Sequence, residues 1–203
     1  MVDLEIDLDV LLESKSSCSW LWTYGVVSSL VTKIDAKRIA EVGVAYGYHA
    51  EHLLDEFSDI EYYGFDPYVS GYDPNDGFDA DVQKLFGNGD IPAMDRLYNA
   101  VNFKLSSKYG DRVKLNRITG EKATSLIEKE FFDIAYIDGD HTYDGVIRDL
   151  NTWYTLVRKG GILCGDDYDW HGVRTAVLDF FSEKQIDVLS TVHNKWYVVI
   201  PQT

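Results

Sequence analysis

The chain has 203 residues, and 34 acidic against 19 basic residues give it a formal net charge of −15. No basic stripe is visible, which argues against a nucleic-acid backbone as the main partner. No apolar run reaches the ~18 residues of a membrane span, and the acidic amino terminus is unlike a secretory leader. We therefore expect a cytoplasmic protein with no membrane span.

The predicted strands and helices alternate along the chain. An N-terminal helical segment, 1–36, contains a helix predicted at about 20–34, followed by a strand at 38–43, a helix at 47–57 and a strand at 60–66. The stretch 68–110 is polar and turn-rich up to residue 89 and then predicts a helix over 92–107. Because a long irregular loop in a compact domain is usually functional, we interpret 68–110 as a lid-like insertion.

The second half of the chain continues this alternation. It predicts a strand at 112–118, a helix at about 121–130, strands at 132–138 and 160–167, a helix at 172–184, and two last strands at 186–191 and 195–200. Between 146 and 157, apolar residues recur at the spacing of one helical face. The pattern indicates a single α/β domain, 1–203, with a parallel sheet and helices on both faces.

Three aspartates follow the two strands FDIAYID and GGILCGDD. A strand–helix–strand unit has parallel strands and a right-handed crossover, so both carboxyl ends emerge at one edge. Asp138, Asp166 and Asp167 should therefore lie together where open α/β sheets bind ligands. Crowded carboxylates need a cation or protons to offset their repulsion, which predicts a site. The alternative is that Asp166 and Asp167 only cap the loop and the following helix.

A glycine-containing turn, EVGVAYGYHAEHLL at 41–54, joins the first strand to its helix. Gly43 and Gly47 would let a ligand approach the backbone, and the helix N-terminus favours a negative group. A purely structural turn is the alternative. Asp66 ends the next strand, 19 residues beyond Gly47, where an acid can accept hydrogen bonds from a ribose diol. The pair indicates a ligand that carries a nucleoside.

These motifs resemble those of the class I S-adenosylmethionine-dependent methyltransferases, which carry acid–x–G–x–x–x–G at the first strand and an acid at the end of the second. The resemblance runs from about residue 38 to residue 200. Within this superfamily, IDGDHTYDGVIRDL and GGILCGDDY are similar to the macrocin-type sugar O-methyltransferases and cephalosporin-hydroxylase-like proteins, a group that commonly uses a divalent metal. The resemblance implies a Rossmann-like doubly wound sheet of seven strands, mostly parallel, with an antiparallel last strand.

The resemblance also implies roles for individual residues. The cofactor S-adenosylmethionine would be held by Glu41, Gly43, Tyr46, Gly47, Asp66, Thr119, Gly120, Glu121 and Asp138. A divalent cation would be held by Asp138, Asp166 and Asp167, and their oxygen ligands favour Mg²⁺.

His141 would be catalytic together with Asp138 and would accept the proton of the acceptor hydroxyl. Metal-dependent catechol relatives tend to have a lysine at this point, so the base role is not inherited directly. Stacking on adenine or holding the loop is the alternative for His141. His49 and His52 are expected to face solvent or the cofactor rim.

The predicted reaction is the transfer of a methyl group to a hydroxyl oxygen of a sugar or glycan. The alternatives are a small phenolic or catechol-like acceptor, an oxidoreductase or hydrolase that uses the aspartates differently, and a non-catalytic module that binds S-adenosylmethionine. The aromatic residues that could form a wall for the acceptor are Trp20, Trp22, Tyr68, Tyr72, Phe78, Tyr168 and Trp170. The expected partners are the small-molecule or glycan acceptor and, as an open alternative, a second copy of the chain in a homo-oligomer.

Overall fold

A computed structural model describes residues 24–72, 77–191 and 193–202. The first half contains helices α1 (Gly25–Ile34), α2 (Tyr48–Glu56), α3 (Phe78–Phe86) and α4 (Ala93–Tyr109), and strands β1 (Arg38–Val42), β2 (Glu61–Phe65) and β3 (Val113–Asn116). The second half contains strands β4 (Phe132–Ile137), β5 (Val157–Gly165), β6 (Leu189–Ser190) and β7 (Trp196–Val199), and helices α5 (Tyr143–Leu156) and α6 (His171–Glu183). Two 3₁₀ helices, Gly110–Arg112 and Gly120–Ser125, flank β3.

The strands form one seven-stranded sheet in the order β3-β2-β1-β4-β5-β7-β6. All pairings from β3 to β5 are parallel, whereas β7 runs antiparallel to β5 and to β6. This arrangement confirms the predicted Rossmann-like sheet with an antiparallel last strand. The strand order reverses between β1 and β4, and a crevice at such a switch point is where open α/β sheets bind ligands.

The core lies on both faces of the sheet because successive strand residues point to opposite sides. Tyr62 of β2 packs in the cluster that holds α1 to α4, and the next residue, Tyr63, packs in the cluster with α5 and α6. Trp153 of α5 is fully buried against Phe65 and Phe132. Within the described residues, no helix has both the length and the apolar character that crossing a membrane requires.

Three predicted elements differ from the structure. The stretch after β2 contains the helix α3, which the turn-rich composition of 68–89 did not indicate. The helix predicted at 121–130 is only a short 3₁₀ helix, which buries the small Ala123 while Leu126 beyond it is 60% exposed. Little apolar area is therefore available to stabilise a longer helix. The strand predicted at 186–191 is reduced to the two residues of β6. Residues 20–23 of the first predicted helix, with Trp20 and Trp22, lie outside the described residues.

Candidate functional site

A cavity of about 700 Å³ opens at the carboxyl ends of the central strands. The sheet register explains which residues meet there. Phe65, Val42, Ile137 and Gly165 form one row of paired residues across β2, β1, β4 and β5. The residues that follow this row, at the cavity wall, are Asp66, Gly43, Asp138 and Asp166. Parallel pairing in register therefore brings together groups that are distant in sequence.

The turn after β1 requires glycine at two positions. Gly43 has φ +83°, and a Cβ atom there would lie 1.9 Å from the carbonyl oxygen of Asp138. Gly47 has φ +76°, and a Cβ atom would lie 2.9 Å from Val101 Cγ1. The turn and the end of β4 are thus in backbone contact. Gly43 lines the cavity, whereas Gly47 packs toward α4 and is not among the lining residues.

We expect Gly43→Ala to destabilise the protein by about 1–3 kcal/mol more than Gly71→Ala, because only the first substitution overpacks a backbone contact. Gly71 is the matched control, since its φ is +72° but a Cβ atom there would have no other atom within 4 Å. Urea denaturation of both variants measures the difference. Equal losses of unfolding free energy in the two variants would show that the contact with Asp138 relaxes without cost.

Glu41 is buried at 3% exposure and is held by two side chains. The Tyr62 hydroxyl donates to Oε2, and His49 Nδ1 lies 3.2 Å from Oε1. His49 was predicted to face either solvent or the cofactor rim. It does not face solvent, because it is only 4% exposed and lines the cavity. Because α2 begins at Tyr48, its second residue points back toward the sheet. His52, one turn later, stays partly exposed and lies 3.1 Å from Ser28 Oγ.

Asp66 connects the two loops on the β1–β2 side of the cavity. Its Oδ2 accepts hydrogen bonds from the backbone N–H groups of Val44 and Ala45, both at 3.0 Å, and Oδ1 accepts from Tyr68 N–H at 2.7 Å. Burial raises the pKa of Asp66, and the three backbone hydrogen bonds oppose this shift. A carboxylate has about four acceptor positions, so one remains on Oδ1 for a ligand hydroxyl.

The opposite wall carries Asp138, His141 and Asp167. One ligand atom from each lies within 4.8 Å of the others, which is close enough for a shared metal ion. His141 Nε2 lies 2.9 Å from Asp167 Oδ2 and 3.7 Å from Asp138 Oδ1. Trp170 packs against the imidazole with ring centroids 4.8 Å apart.

Asp166 is engaged differently from its neighbours. The ammonium of Lys195, which is 2% exposed, donates to Asp166 Oδ2 at 2.7 Å and to the Tyr136 hydroxyl at 2.7 Å. Tyr136 donates in turn to the same Oδ2, and Oδ1 accepts the backbone N–H of Asp167 at 2.8 Å. Lys195 therefore offsets one of the three carboxylate charges at this edge.

The remaining charges determine the protonation of this wall. Burial, followed by repulsion from Asp166 and Asp167, raises the pKa of Asp138 to about 6, although the bond to His141 lowers it. Burial alone would lower the pKa of His141, but its bonds to Asp138 and Asp167 outweigh this and raise it to about 11. His141 is consequently an imidazolium at neutral pH, and its charge takes the place of a cation between the two carboxylates.

The predicted adenine segment lies partly at the cavity. Gly120 lines it, whereas Glu121 is exposed and approaches Arg148 at 3.9 Å. The hydroxyl of Thr119 is buried and has no hydrogen-bond partner among the described residues. Tyr46 lines the cavity and packs edge-on against Phe78 of α3, with centroids 5.3 Å apart.

Of the predicted aromatic residues, Tyr68, Tyr72, Phe78 and Trp170 line the cavity. Tyr168 packs instead with the core cluster on the α5–α6 face. The structure adds Tyr24, whose ring stacks on His49 at 4.7 Å. Burial and then the charges of Glu41, Asp138 and Asp166 raise the pKa of the Tyr24 phenol.

Sequence reasoning missed Tyr24 and Lys195. Lys195 stands alone before the apolar run WYVV, and no spacing connects it with Asp166. Tyr24 lies in a segment with no recognisable motif.

The fold and the site define an α/β protein whose ligand crevice lies at the switch point of a Rossmann-like sheet. The profile of the methyltransferase-domain family matches residues 40–168, which is more than half of the chain, and the protein belongs to this family. An uncharacterized protein of Acanthamoeba polyphaga mimivirus is 56% identical over 36 residues, and this match spans 18% of the chain and 16% of that protein's length.

Several solved structures with the same fold are named as methyltransferases or O-methyltransferases. One is a Staphylococcus aureus protein assigned as a caffeoyl-CoA O-methyltransferase (TM-score 0.66, 11% identity, 96% of this chain and 92% of that chain covered). Another is the SAH-bound methyltransferase PaMTH1 of Podospora anserina (TM-score 0.59, 20% identity, 90% of this chain and 77% of that chain covered). A third is CalS11, a TDP-rhamnose 3'-O-methyltransferase of calicheamicin biosynthesis (TM-score 0.60, 18% identity, 88% of this chain and 77% of that chain covered).

Proposed function

We propose that the protein is an S-adenosylmethionine-dependent O-methyltransferase that acts on a hydroxyl of a sugar or glycan with the assistance of a divalent cation. The observation that carries this proposal is the meeting of two acidic groups across one cavity. Glu41 and Asp66 lie on one side, and Asp138, Asp166 and Asp167 lie on the other. The first group suits a nucleoside cofactor with an amino-acid part, and the second suits a cation beside an acceptor.

The cofactor side offers acceptors for the donors of S-adenosylmethionine. Glu41 would accept hydrogen bonds from the ammonium of the methionine part, and the open position on Asp66 Oδ1 would accept one from a ribose hydroxyl. Gly43 would allow close approach of the cofactor, and Tyr46 would contact it, with Thr119, Gly120 and Glu121 toward the adenine. Gly47 would act only through the shape of the turn. The SAH-bound state of the Podospora neighbour supports this cofactor. When bound, the cofactor supplies a sulfonium methyl group that a hydroxyl oxygen can attack.

The other side fits a hard divalent ion such as Mg²⁺, which prefers oxygen ligands. Asp138 and Asp167 would hold it, and Asp166 Oδ1 could join them while Oδ2 stays with Lys195. Burial, together with repulsion from Asp166 and Asp167, raises the pKa of Asp138 even though His141 lowers it. A bound divalent ion would supply compensating positive charge and would lower the pKa of a hydroxyl beside it.

His141 would then serve as the general base. Its contacts with two carboxylates raise the pKa of His141 and so favour the imidazolium. A cation held by Asp138 and Asp167 would offset these carboxylate charges, and a neutral His141 would then accept the proton of the acceptor hydroxyl at Nε2. Trp170 packs on the imidazole and would hold its orientation.

We propose that the stretch 68–110 acts as a lid over the acceptor side of the cavity. Tyr72 and Phe78 from this stretch line the cavity. The name of CalS11 supports a sugar acceptor, and the caffeoyl-CoA assignment of the Staphylococcus neighbour keeps a phenolic acceptor as the second candidate. A cytoplasmic location and a homo-oligomer stay predictions.

Two measurements test the proposal. Calorimetry with S-adenosylhomocysteine, with and without Mg²⁺, should give saturable binding, and absence of heat at millimolar ligand would refute the cofactor assignment. Methyl transfer to panels of glycans and phenols should stop with a chelator and fall in Asp138→Asn and Asp167→Asn.

We expect His141→Gln to lower kcat about 10²-fold or more, as loss of a general base does. His193→Gln, at an exposed position, is the matched control.

The outcomes separate the remaining candidates. Binding of S-adenosylhomocysteine without turnover across both panels would favour a non-catalytic binding module. Turnover that survives the chelator and both aspartate variants would show that the aspartates are structural. Tight binding of NAD without binding of S-adenosylhomocysteine would indicate an oxidoreductase.

A further inference from the structure

Asp149 on α5 is 3% exposed, and its carboxyl group makes no hydrogen bond with any described residue. The nearby guanidinium of Arg148 bonds Asp140 instead, at 2.9 Å. Buried polar groups in folded proteins are nearly always hydrogen-bonded, so an unpaired carboxyl group is costly. Burial raises the pKa of Asp149, and buried acids whose pKa is shifted in this way are concentrated at functional sites.

The carboxyl group of Asp149 lies against a part of the cavity wall that two glycines form. Oδ1 is 2.7 Å from the position of a Cβ atom on Gly120, and Oδ2 is 3.8 Å from that of a Cβ atom on Gly139. Both glycines line the cavity, so neither has a side chain that screens the carboxyl group from it. Tyr72, which also lines the cavity, is close enough for the charge of Asp149 to help raise its pKa, after burial, to about 12. Asp149 therefore borders the cavity.

In the proposed complex this part of the wall faces the base of the cofactor. Glu41 lies at the methionine part and Asp66 at the ribose, whereas Gly120 lies toward the adenine. The 6-amino group of adenine is a hydrogen-bond donor, and the ring nitrogen N7 beside it is an acceptor. A carboxyl group accepts a hydrogen bond from the amino group, and in its protonated form it also donates one to the ring nitrogen. Both forms of Asp149 thus suit this edge of adenine.

Resting on the proposed cofactor, we propose that Asp149 recognises the adenine base by accepting a hydrogen bond from its 6-amino group. The contact would pair a buried carboxyl group that the free protein leaves unpaired, so the binding of adenine would offset part of the cost of its burial. A base without the amino group would leave the carboxyl group unpaired in the complex. Sites that hydrogen-bond one group of a ligand reject analogues without that group for this reason.

Calorimetry with S-adenosylhomocysteine and its 6-deamino analogue, in which a hydrogen replaces the amino group, tests this proposal. The wild type should bind S-adenosylhomocysteine about tenfold or more tightly than the analogue. Asp149→Leu should bind the two about equally, because leucine has no acceptor, and the fold tolerates an apolar group of similar size in place of a buried acid. Asp149→Asn should keep the preference, because its amide accepts from the amino group and donates to N7.

The matched control is Asp144→Leu. Asp144 is exposed on the same helix, and its replacement removes the same charge, so this variant should keep the wild-type preference. Urea denaturation shows whether each variant is folded.

A purely structural role of Asp149 has a different signature. The indole N–H of Trp153 is also buried without a partner among the described residues, and it lies 3.0 Å from the same Cβ position on Gly120. A bound water that joins this N–H to Asp149 would satisfy both groups. In that case Asp149→Leu would change the stability and leave the preference for the amino group intact, which would overturn the proposal.

Equal binding of the two ligands to the wild type would also overturn the proposal, and the cofactor assignment would stand. Absence of binding of S-adenosylhomocysteine would refute the cofactor assignment instead. Adenosine and purine riboside, which differ only in the amino group, then test Asp149 alone. A preference for adenosine that Asp149→Leu removes would support the proposal, whereas equal binding or no binding of the two nucleosides would refute it. Selective binding without methyl transfer would refute the catalytic function and support the role of Asp149.

Discussion

Replacing Lys195 with methionine should lower the free energy of unfolding by about 3 kcal/mol, because removing one partner of a buried ion pair leaves the other charge uncompensated. Lys195 is 2% exposed, and its ammonium bonds both Asp166 and the Tyr136 hydroxyl. Asp166 keeps 21% of its side-chain surface exposed, so water can hydrate part of the abandoned charge. We therefore expect the lower end of the ~3–5 kcal/mol seen for such losses. Urea denaturation at pH 7 measures the change.

The control for this prediction is Lys37→Met. Lys37 forms ion pairs with Asp35 and Asp59, both at 2.6 Å, but its side chain is 45% exposed. Exposed pairs contribute ~0–1 kcal/mol, so this variant should lose much less. The double variant Lys195→Met/Asp166→Asn should regain stability over the single variant. If the single and double variants are equally stable, the Lys195–Asp166 contact does not stabilise the fold.

Asp149→Asn should raise the free energy of unfolding at pH 8 by roughly 3–4 kcal/mol and leave it nearly unchanged at pH 4. Asp149 is 3% exposed on α5. Burial and the charge of Asp140 raise the pKa of Asp149 from 3.8 to about 7. The folded chain therefore binds the proton more tightly than the unfolded chain does. Each pKa unit corresponds to about 1.4 kcal/mol, which gives the expected size.

The sign of the pH dependence follows from the direction of this shift. The stability that Asp149 contributes as a neutral acid is fully present below pH 3.8 and is lost as the pH rises through about 7. Asparagine keeps the neutral state at every pH, so the difference between variant and wild type should grow over this range and then level off. Denaturation curves at pH 4, 6 and 8 measure it.

Asp144→Asn, at an exposed position of the same helix, should change stability by no more than about 0.5 kcal/mol at any of these pH values. A pH-independent effect of Asp149→Asn would show that the pKa of Asp149 is the same in the folded and the unfolded chain. The oxygen Oδ1 of Asp149 lies 2.7 Å from where a Cβ atom on Gly120 would be. Burial of Asp149 and the need for glycine at position 120 are thus two aspects of the same packing.

Asp166 and Asp149 illustrate how acidic groups are tolerated inside a protein of net charge −15. Asp166 is compensated by a buried ammonium, whereas Asp149 is compensated by a proton. Asp138 is compensated only in part. His141 beside it supplies positive charge, but the pKa of Asp138 still rises to about 6. A cation would relieve this last site, which is consistent with the role that we propose for the metal edge.

The sequence by itself predicted the strands and the acids at their ends. Asp66 and Asp138 each follow an apolar run. Parallel pairing in register places such residues in one row, independently of the conformation of the loops between the strands. Gly43 was predicted because glycine in a strand-to-helix turn lets a ligand approach the backbone, and the structure adds its positive φ. These features depend on local pattern and on a topology that alternation determines.

Only the tertiary structure decided the protonation and the charge of the site. Lys195 contacts Asp166 because β7 pairs antiparallel with β5, and no local pattern in the sequence predicts this contact. His49 is buried because α2 begins one residue before it, a boundary that sequence periodicity does not define closely. The helix α3 forms over a polar stretch because Val82 and Phe86 are buried by packing. Electrostatic environment depends on burial and on distant neighbours, and both exist only once the chain has folded.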